Sequence, residues 1–168
     1  MKKNYIILLF LSAILFSRIN AQSLSIPDLN NLLKMNELEV DSFMLLNNYK
    51  HFKGDTDTDF KIMSYTNVYE NEGVINTRYF SIGYNYKIKS TDITYRVSNK
   101  TEADEIIGWL EKNGYKLKTT SIDDIAGGKP SKLTSYNSNK QSIVFIKTIR
   151  KVKEKDVPYY QFELSTMF

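Results

Sequence analysis

Apolar residues fall first at helical spacing along this chain, and then at strand spacing. Leu29, Leu32 and Leu33 recur at three- and four-residue intervals, the stripe that one side of an α-helix buries. Ser25-Ile26-Pro27-Asp28 precedes them. Ser25 can accept free amides of a first turn, Pro27 gives up no needed N–H there, and Asp28 suits the positive end of the helix dipole. Asn36 and Glu39 make a second start, in which cap side chain and third-residue carboxylate satisfy each other's amides. Val40, Phe43, Met44 and Leu46 supply its buried side, and Asn47-Asn48 can end it. The pattern predicts a helical hairpin over residues 26–48.

The period then changes to two. Between Thr77 and Ile88, Arg78, Phe80, Ile82, Tyr84, Tyr86 and Ile88 share one side, and Thr77, Tyr79, Ser81, Gly83, Asn85 and Lys87 the other, as in a half-buried strand. Ile93, Tyr95 and Val97 alternate with Asp92, Thr94, Arg96 and Ser98. Phe60 to Tyr69 is strand-like but mixed on both sides, and Asn71-Glu72-Gly73 and Lys89-Ser90-Thr91 read as turns. A further helix begins at Asn99 or Thr101, with Glu102 or Asp104 three residues on. Ala103, Ile106, Ile107 and Leu110 give it one apolar face, with Trp109 expected between helix and sheet. Asn113-Gly114 stops it. Ser121 to Pro130 reads as a loop, followed by strands at about 132–138, 141–152 and 158–166.

The two halves look alike. Leu45–Lys53 (LLNNYKHFK) matches Leu110–Lys118 (LEKNGYKLK), and Ile62–Asn67 resembles Leu133–Ser138. Phe80 falls where Ile143 falls, and Ile93-Thr94-Tyr95 where Tyr160-Gln161-Phe162 falls. Equivalent segments lie about 65–70 residues apart, which reads as an internal repeat. The expected fold is α+β: two tandem units, about 25–98 and 99–168, each a helix plus three antiparallel strands, forming one sheet with helices on one face. This layout over residues 25–168 resembles the tandem helix-and-sheet repeats of the β-lactamase-inhibitor-protein type. It is also similar to small envelope-assembly lipoproteins with a helix–helix–strand core. The chain has no Cys, so it lacks the paired cysteines of the first and the lipid-bearing cysteine of the second.

Charge and composition change this picture at one end. The formal charge is +4 and the pI near 9.0, a balance that points toward acidic partners. But Lys2 and Lys3 precede an apolar run of 12 residues, Tyr5–Phe16, and a small-residue site at Ala21. That order is a secretory signal peptide, cleaved after Ala21. The run is short of the roughly 20 apolar residues of a spanning helix. Asn20-Ala21-Gln22 resembles signal-peptide ends of secreted Bacteroidota proteins. Residues 1–21 hold three cations and no acid, so residues 22–168 carry 20 basic and 19 acidic side chains, a net of +1. The expected product is a single domain, periplasmic or secreted, with no lipid anchor and no stable membrane attachment after cleavage.

Candidate chemistry is sparse. Without Cys and with one His, disulfides, thiol nucleophiles and multi-His metal centres are excluded. Gly54–Asp59 offers alternating carboxylates, but Phe60 and Thr66 stand where a calcium loop needs Gly and Glu. Gly127-Gly128-Lys129 lacks the hydroxyl residue and helix of a phosphate loop, Pro130 following instead. His51 has no assembled acid and nucleophile, so it reads as a surface residue after a helix. Asp123-Asp124 and Glu70/Glu72 could serve glycoside chemistry, but they sit among turn residues. Lys147–Lys155 is broken by Glu154, and reads as a solvated hairpin face guarding against edge pairing, with no nucleic-acid partner. No catalytic residue, metal or cofactor is assigned.

The aromatics remain: 12 Tyr, 9 Phe and one Trp. Tyr79 and Tyr159 fall on the sides opposite the apolar ones, while Tyr65, Tyr69 and Tyr136 lie on strands with no clear side. A sheet face carrying Tyr with Arg or Lys suits protein recognition, so Tyr65, Tyr79, Tyr136 and Tyr159 are the candidate binding residues. The expected function is a non-catalytic binding or inhibitory module of the cell envelope, with an envelope or extracellular protein as partner. A carboxylate-dependent hydrolase and a self-assembling envelope protein are the alternatives.

Overall fold

The computed structural model describes residues 23–124, 130–138, 141–152 and 155–167. The expected signal peptide and Gly127-Gly128-Lys129 lie outside the described residues. Ile26–Leu32 (α1) and Glu37–Leu46 (α2) form the helical hairpin. Both begin as the capping residues require. Ser25 and Asp28 satisfy each other's amides, as do Asn36 and Glu39. Four strands follow: β1 (Lys50–Thr56), β2 (Phe60–Asn71), β3 (Val74–Asn85) and β4 (Ser90–Val97). Then come α3 (Lys100–Lys112), β5 (Lys116–Asp124), β6 (Pro130–Asn137), β7 (Ser142–Val152) and β8 (Lys155–Met167). Asn99 caps α3, its side chain accepting from the Glu102 amide.

All eight strands join one antiparallel sheet in the order β1-β2-β3-β4-β8-β7-β6-β5. Each group of four strands runs inward from an edge, and the last strands pair at the centre, Tyr95 opposite Phe162. The protein is therefore α+β, but it does not consist of two tandem units of a helix plus three strands. Two strands lie outside the expected pattern. β1 is exposed at every position, so it carries no alternation to read. Ser121–Asp124, expected in a loop, belongs to β5. With these strands added, β4 and β8 close the halves into a single eight-stranded sheet.

Local chemistry sets the corners. The β2–β3 turn is Glu72-Gly73, with φ of 52° and 75°, the doubly left-handed turn whose twist matches a hairpin. Helices α2 and α3 end alike. Asn48 and Gly114 take φ of 60° and 82°. The next amides, of Tyr49 and Tyr115, then reach back to the Met44 and Leu110 carbonyls at 2.9 and 3.1 Å, closing each last turn. Both strands that follow carry a register shift, between His51 and Lys53 and between Leu117 and Thr119.

The core fills the space between the helices and one sheet face. Met63, Tyr65, Phe80, Ile82, Ile93, Tyr95, Phe162 and Leu164 rise from the sheet to meet Leu29, Leu32, Val40, Met44, Ala103 and Leu110. Burial of this apolar surface is the main favourable term in folding, and without disulfides it carries that load alone. Trp109 is half-buried at the edge of this core, its ring 6.3 Å from that of Tyr115.

Candidate functional site

The four candidate tyrosines divide between the two sides of the sheet. Tyr65 is on the covered side and fully enclosed, its hydroxyl donating to Asp41 at 3.0 Å. Tyr136 is also on that side and buried. Neither lines an open face. Tyr79 and Tyr159 occupy the opposite side, half-buried, on β3 and β8. Among the described residues, no helix packs over them.

Cross-strand register builds the uncovered face. Thr66, Tyr79, Arg96, Gln161, Ile146 and Leu133 stand opposite one another in a row across β2, β3, β4, β8, β7 and β6. The Arg96 guanidinium lies 5.3 Å from the centroid of the Tyr79 ring, within reach of its negative π face. Arg96 Nε also donates to Gln161 Oε1, and Gln161 Nε2 to Glu163. The Tyr79 hydroxyl donates to Ser64 Oγ at 3.0 Å, and the Phe52 ring meets Tyr79 edge-on at 6.3 Å. Beyond Gln161 the face turns apolar, with Ile146 buried and Leu133 and Val144 half-buried. Tyr159 is two residues from Gln161 on the same side of β8, so it flanks the row. The arrangement holds a cation and aromatic rings in fixed positions.

Sequence reasoning missed a second constellation, on the covered side. Glu102, in the first turn of α3, is buried together with Arg78 of β3. Arg78 Nε lies 2.8 and 3.0 Å from the two carboxylate oxygens. Tyr69 and Tyr95 each donate to the carboxylate at 2.8 Å, and Ser23 Oγ donates at 2.5 Å. The Arg78 guanidinium sits 3.9 Å from the Tyr69 ring centroid. The Tyr49 and Tyr95 hydroxyls meet at 3.2 Å, and the Leu24 amide donates to Tyr95 at 3.3 Å. The knot ties the segment before α1 to Tyr49 in the α2–β1 link and to β2, β3, β4 and α3.

Its electrostatics follow from enclosure and partnership. Burial by itself would lower the affinity of Arg78 for its proton. The Glu102 hydrogen bonds and negative charge outweigh that and hold the guanidinium above its ordinary range. Burial pushes the Tyr95 and Tyr49 phenols well up. Burial and then the Glu102 charge push Tyr69 up to about 12. These phenols stay neutral donors at any physiological pH. A signal did exist in the sequence: Arg78 occupies an apolar-side position of an alternating strand, which a lone cation does not take without a partner.

His51 is exposed, and its ring meets that of Tyr65 edge-on at 5.4 Å. Asp57 and Thr58 lie in the β1–β2 turn, where the Asp57 amide donates to the Phe60 carbonyl. Among the described residues, no three His, Cys, Asp or Glu side chains gather as a metal site. Among them too, no helix is long and apolar enough to cross a membrane. No protein-family profile, curated protein or solved structure matches the chain.

Proposed function

We propose that this protein is an exported, non-catalytic binding module that recognises a protein of the cell envelope or extracellular space through the uncovered face of its sheet. The row of Tyr79, Arg96 and Gln161, flanked by Tyr159, carries the reading. Tyr and Arg are the residue types on which binding energy concentrates. A rigid sheet holds them, so little conformational freedom is lost when a partner docks. The apolar patch at Ile146, Leu133 and Val144 adjoins that row, giving an apolar area beside a polar one, the usual make-up of an interface. The near-neutral charge of residues 22–168 supports a protein partner over nucleic acid.

Capture from envelope extracts tests it. The purified protein should retain a stoichiometric partner, and Tyr79→Ala with Arg96→Ala should lose it while the far-ultraviolet circular dichroism stays unchanged. Retention by that folded double variant, or repeated capture of nothing stoichiometric, overturns the reading.

A further inference from the structure

Two β-hairpins project from one end of the sheet, and cross-strand register defines both. β3 pairs with β4 only from Arg78 onward, and β1 reaches no further along β2 than Thr66. Asn67–Thr77 therefore runs on past both neighbours, apart from one bond of the Ser98 amide to the Thr77 carbonyl at 3.1 Å. β8 likewise pairs with β4 only from Tyr160 onward, and β7 with β6 only up to Lys147. Thr148–Val152 and Lys155–Tyr159 run on past those, paired with each other. Val97, which closes β4, is opposite Arg78 on one side and Tyr160 on the other, so both hairpins leave the same end. At strand spacing they stand about 10 Å apart, and each projects by about 13–16 Å.

The two hairpins carry opposite charge. The first holds Glu70 and Glu72 and no cation. Both acids are exposed, and neither makes an ion pair among the described residues. The strands of the second carry Lys147, Arg150, Lys151 and Lys155 against one acid, Asp156. Each also turns apolar side chains to solvent, Val68, Val74 and Ile75 on the first and Ile149 on the second. Charge on a projecting strand normally guards it against pairing with another chain. Guards of one sign repel a second copy. Guards of opposite sign, side by side, attract a copy that is turned round.

We infer that this end of the sheet is a self-association surface, and that its occupant is a second copy of the chain related by a two-fold axis over the end of β4. That axis sets the acidic hairpin of each copy against the cationic hairpin of the other, so one contact forms twice. The exposed Val, Ile pairs add apolar surface beside the charges. Asp123 and Asp124 end β5 on the far side of β6, outside the contact. Two hairpins bury little area, so the dimer is weak, with a Kd of about 100 µM. The surface lies at the end of the sheet and does not depend on the reading of its uncovered face.

Sedimentation velocity of the purified protein tests it. At about 20 mM salt the mass should rise from monomer to dimer between about 10 µM and 1 mM and stop there. Raising the salt to about 0.5 M should weaken association at least about tenfold, because solvent-facing charges are screened. Glu70→Lys with Glu72→Lys makes both hairpins basic, and Arg150→Glu with Lys151→Glu makes both acidic. Neither variant, folded by circular dichroism, should self-associate, and an equal mixture of the two should form the dimer again. The proposal fails if the original protein stays monomeric across that range in low salt, or if it grows past the dimer. Both outcomes are read on the unaltered chain, so they hold whatever the variants do. It fails equally if the mixture of folded variants stays monomeric.

Discussion

Arg78 on β3 and Glu102 on α3 form an ion pair inside the protein, with Arg78 Nε 2.8 and 3.0 Å from the two carboxylate oxygens. An enclosed charge is tolerated only when paired and hydrogen-bonded. Replacing Glu102 by Gln keeps the shape and removes the carboxylate charge that faces Arg78. Urea unfolding of Glu102→Gln should show a loss of about 3–5 kcal/mol, and adding Arg78→Met should restore part of it. A loss below about 1 kcal/mol, the range of exposed pairs, would mean that the pair is effectively solvated.

Tyrosines enclosed around that pair and elsewhere on the covered side make stability fall in alkali. Burial raises the phenols of Tyr49, Tyr95, Tyr65 and Tyr84, and with Glu102 it sets Tyr69 at about 12, all against an ordinary value of 10.0. A raised folded-state pKa gives stability that is complete below the unfolded pKa and is lost as pH rises toward the folded one. Denaturant midpoints should hold steady up to about pH 10 and drop steeply from there toward pH 12. In absorbance titrations these five phenols should ionise together with unfolding. Smooth ionisation of all tyrosines near pH 10 in a still-folded protein would contradict their burial.

Two glycines should respond in opposite directions. Gly108 lies inside α3 with open space around an added Cβ. Gly108→Ala should therefore stabilise by about 0.5–1 kcal/mol, through a less flexible unfolded chain. Gly114 also has open space but takes φ of +82°, so Gly114→Ala should destabilise by about 1–2 kcal/mol through backbone strain alone. Thermal melts of the pair separate the backbone term from packing.

Thr91 and Thr166 are directly opposite across the central β4–β8 seam, and among the described residues neither hydroxyl has a hydrogen-bond partner. Thr166→Val removes an unsatisfied buried group at little change of shape. It should raise stability by about 1 kcal/mol in chemical unfolding, the opposite of most core substitutions.

Tyr65 and Tyr79 should separate the two sides of the sheet. Tyr65 is enclosed and Tyr79 half-buried. Tyr65→Ala should cost about 3–5 kcal/mol and Tyr79→Ala about 1, since only the first leaves a cavity in the core. Equal costs would show that the Tyr79 side is covered as well.

Much of the local structure was legible because its causes are local. Ser25, Asn36, Asn99 and Gly114 act on amides and carbonyls within a few residues of themselves, so helix ends could be read directly. The matching of Leu45–Lys53 to Leu110–Lys118 is one residue out of step with the helix ends. Asn47 and Asn113 correspond there, each side-chain amide donating to the carbonyl four residues back at 2.8 Å. The exposed edge strand β1 was not legible, because a strand without a buried side leaves no period.

The candidate tyrosines show where local reading stops. Tyr79 and Tyr159 could be placed because their strands alternate cleanly. Tyr65 and Tyr136 could not, because their sides depend on cross-strand register, with Tyr65 opposite Phe80 and Tyr136 opposite Ile143. The sequence by itself determined the helix boundaries, the Glu72-Gly73 turn and most strands, since caps, left-handed residues and alternation work over a few positions; the turn expected at Lys89-Ser90-Thr91 lies instead over 86–89, with Ser90 and Thr91 in β4. Only the tertiary structure decided that the strands close into one sheet along β4 and β8. It alone also brought Arg78 to Glu102 and set Thr91 opposite Thr166, because burial and pairing between distant residues arise only when the whole chain packs.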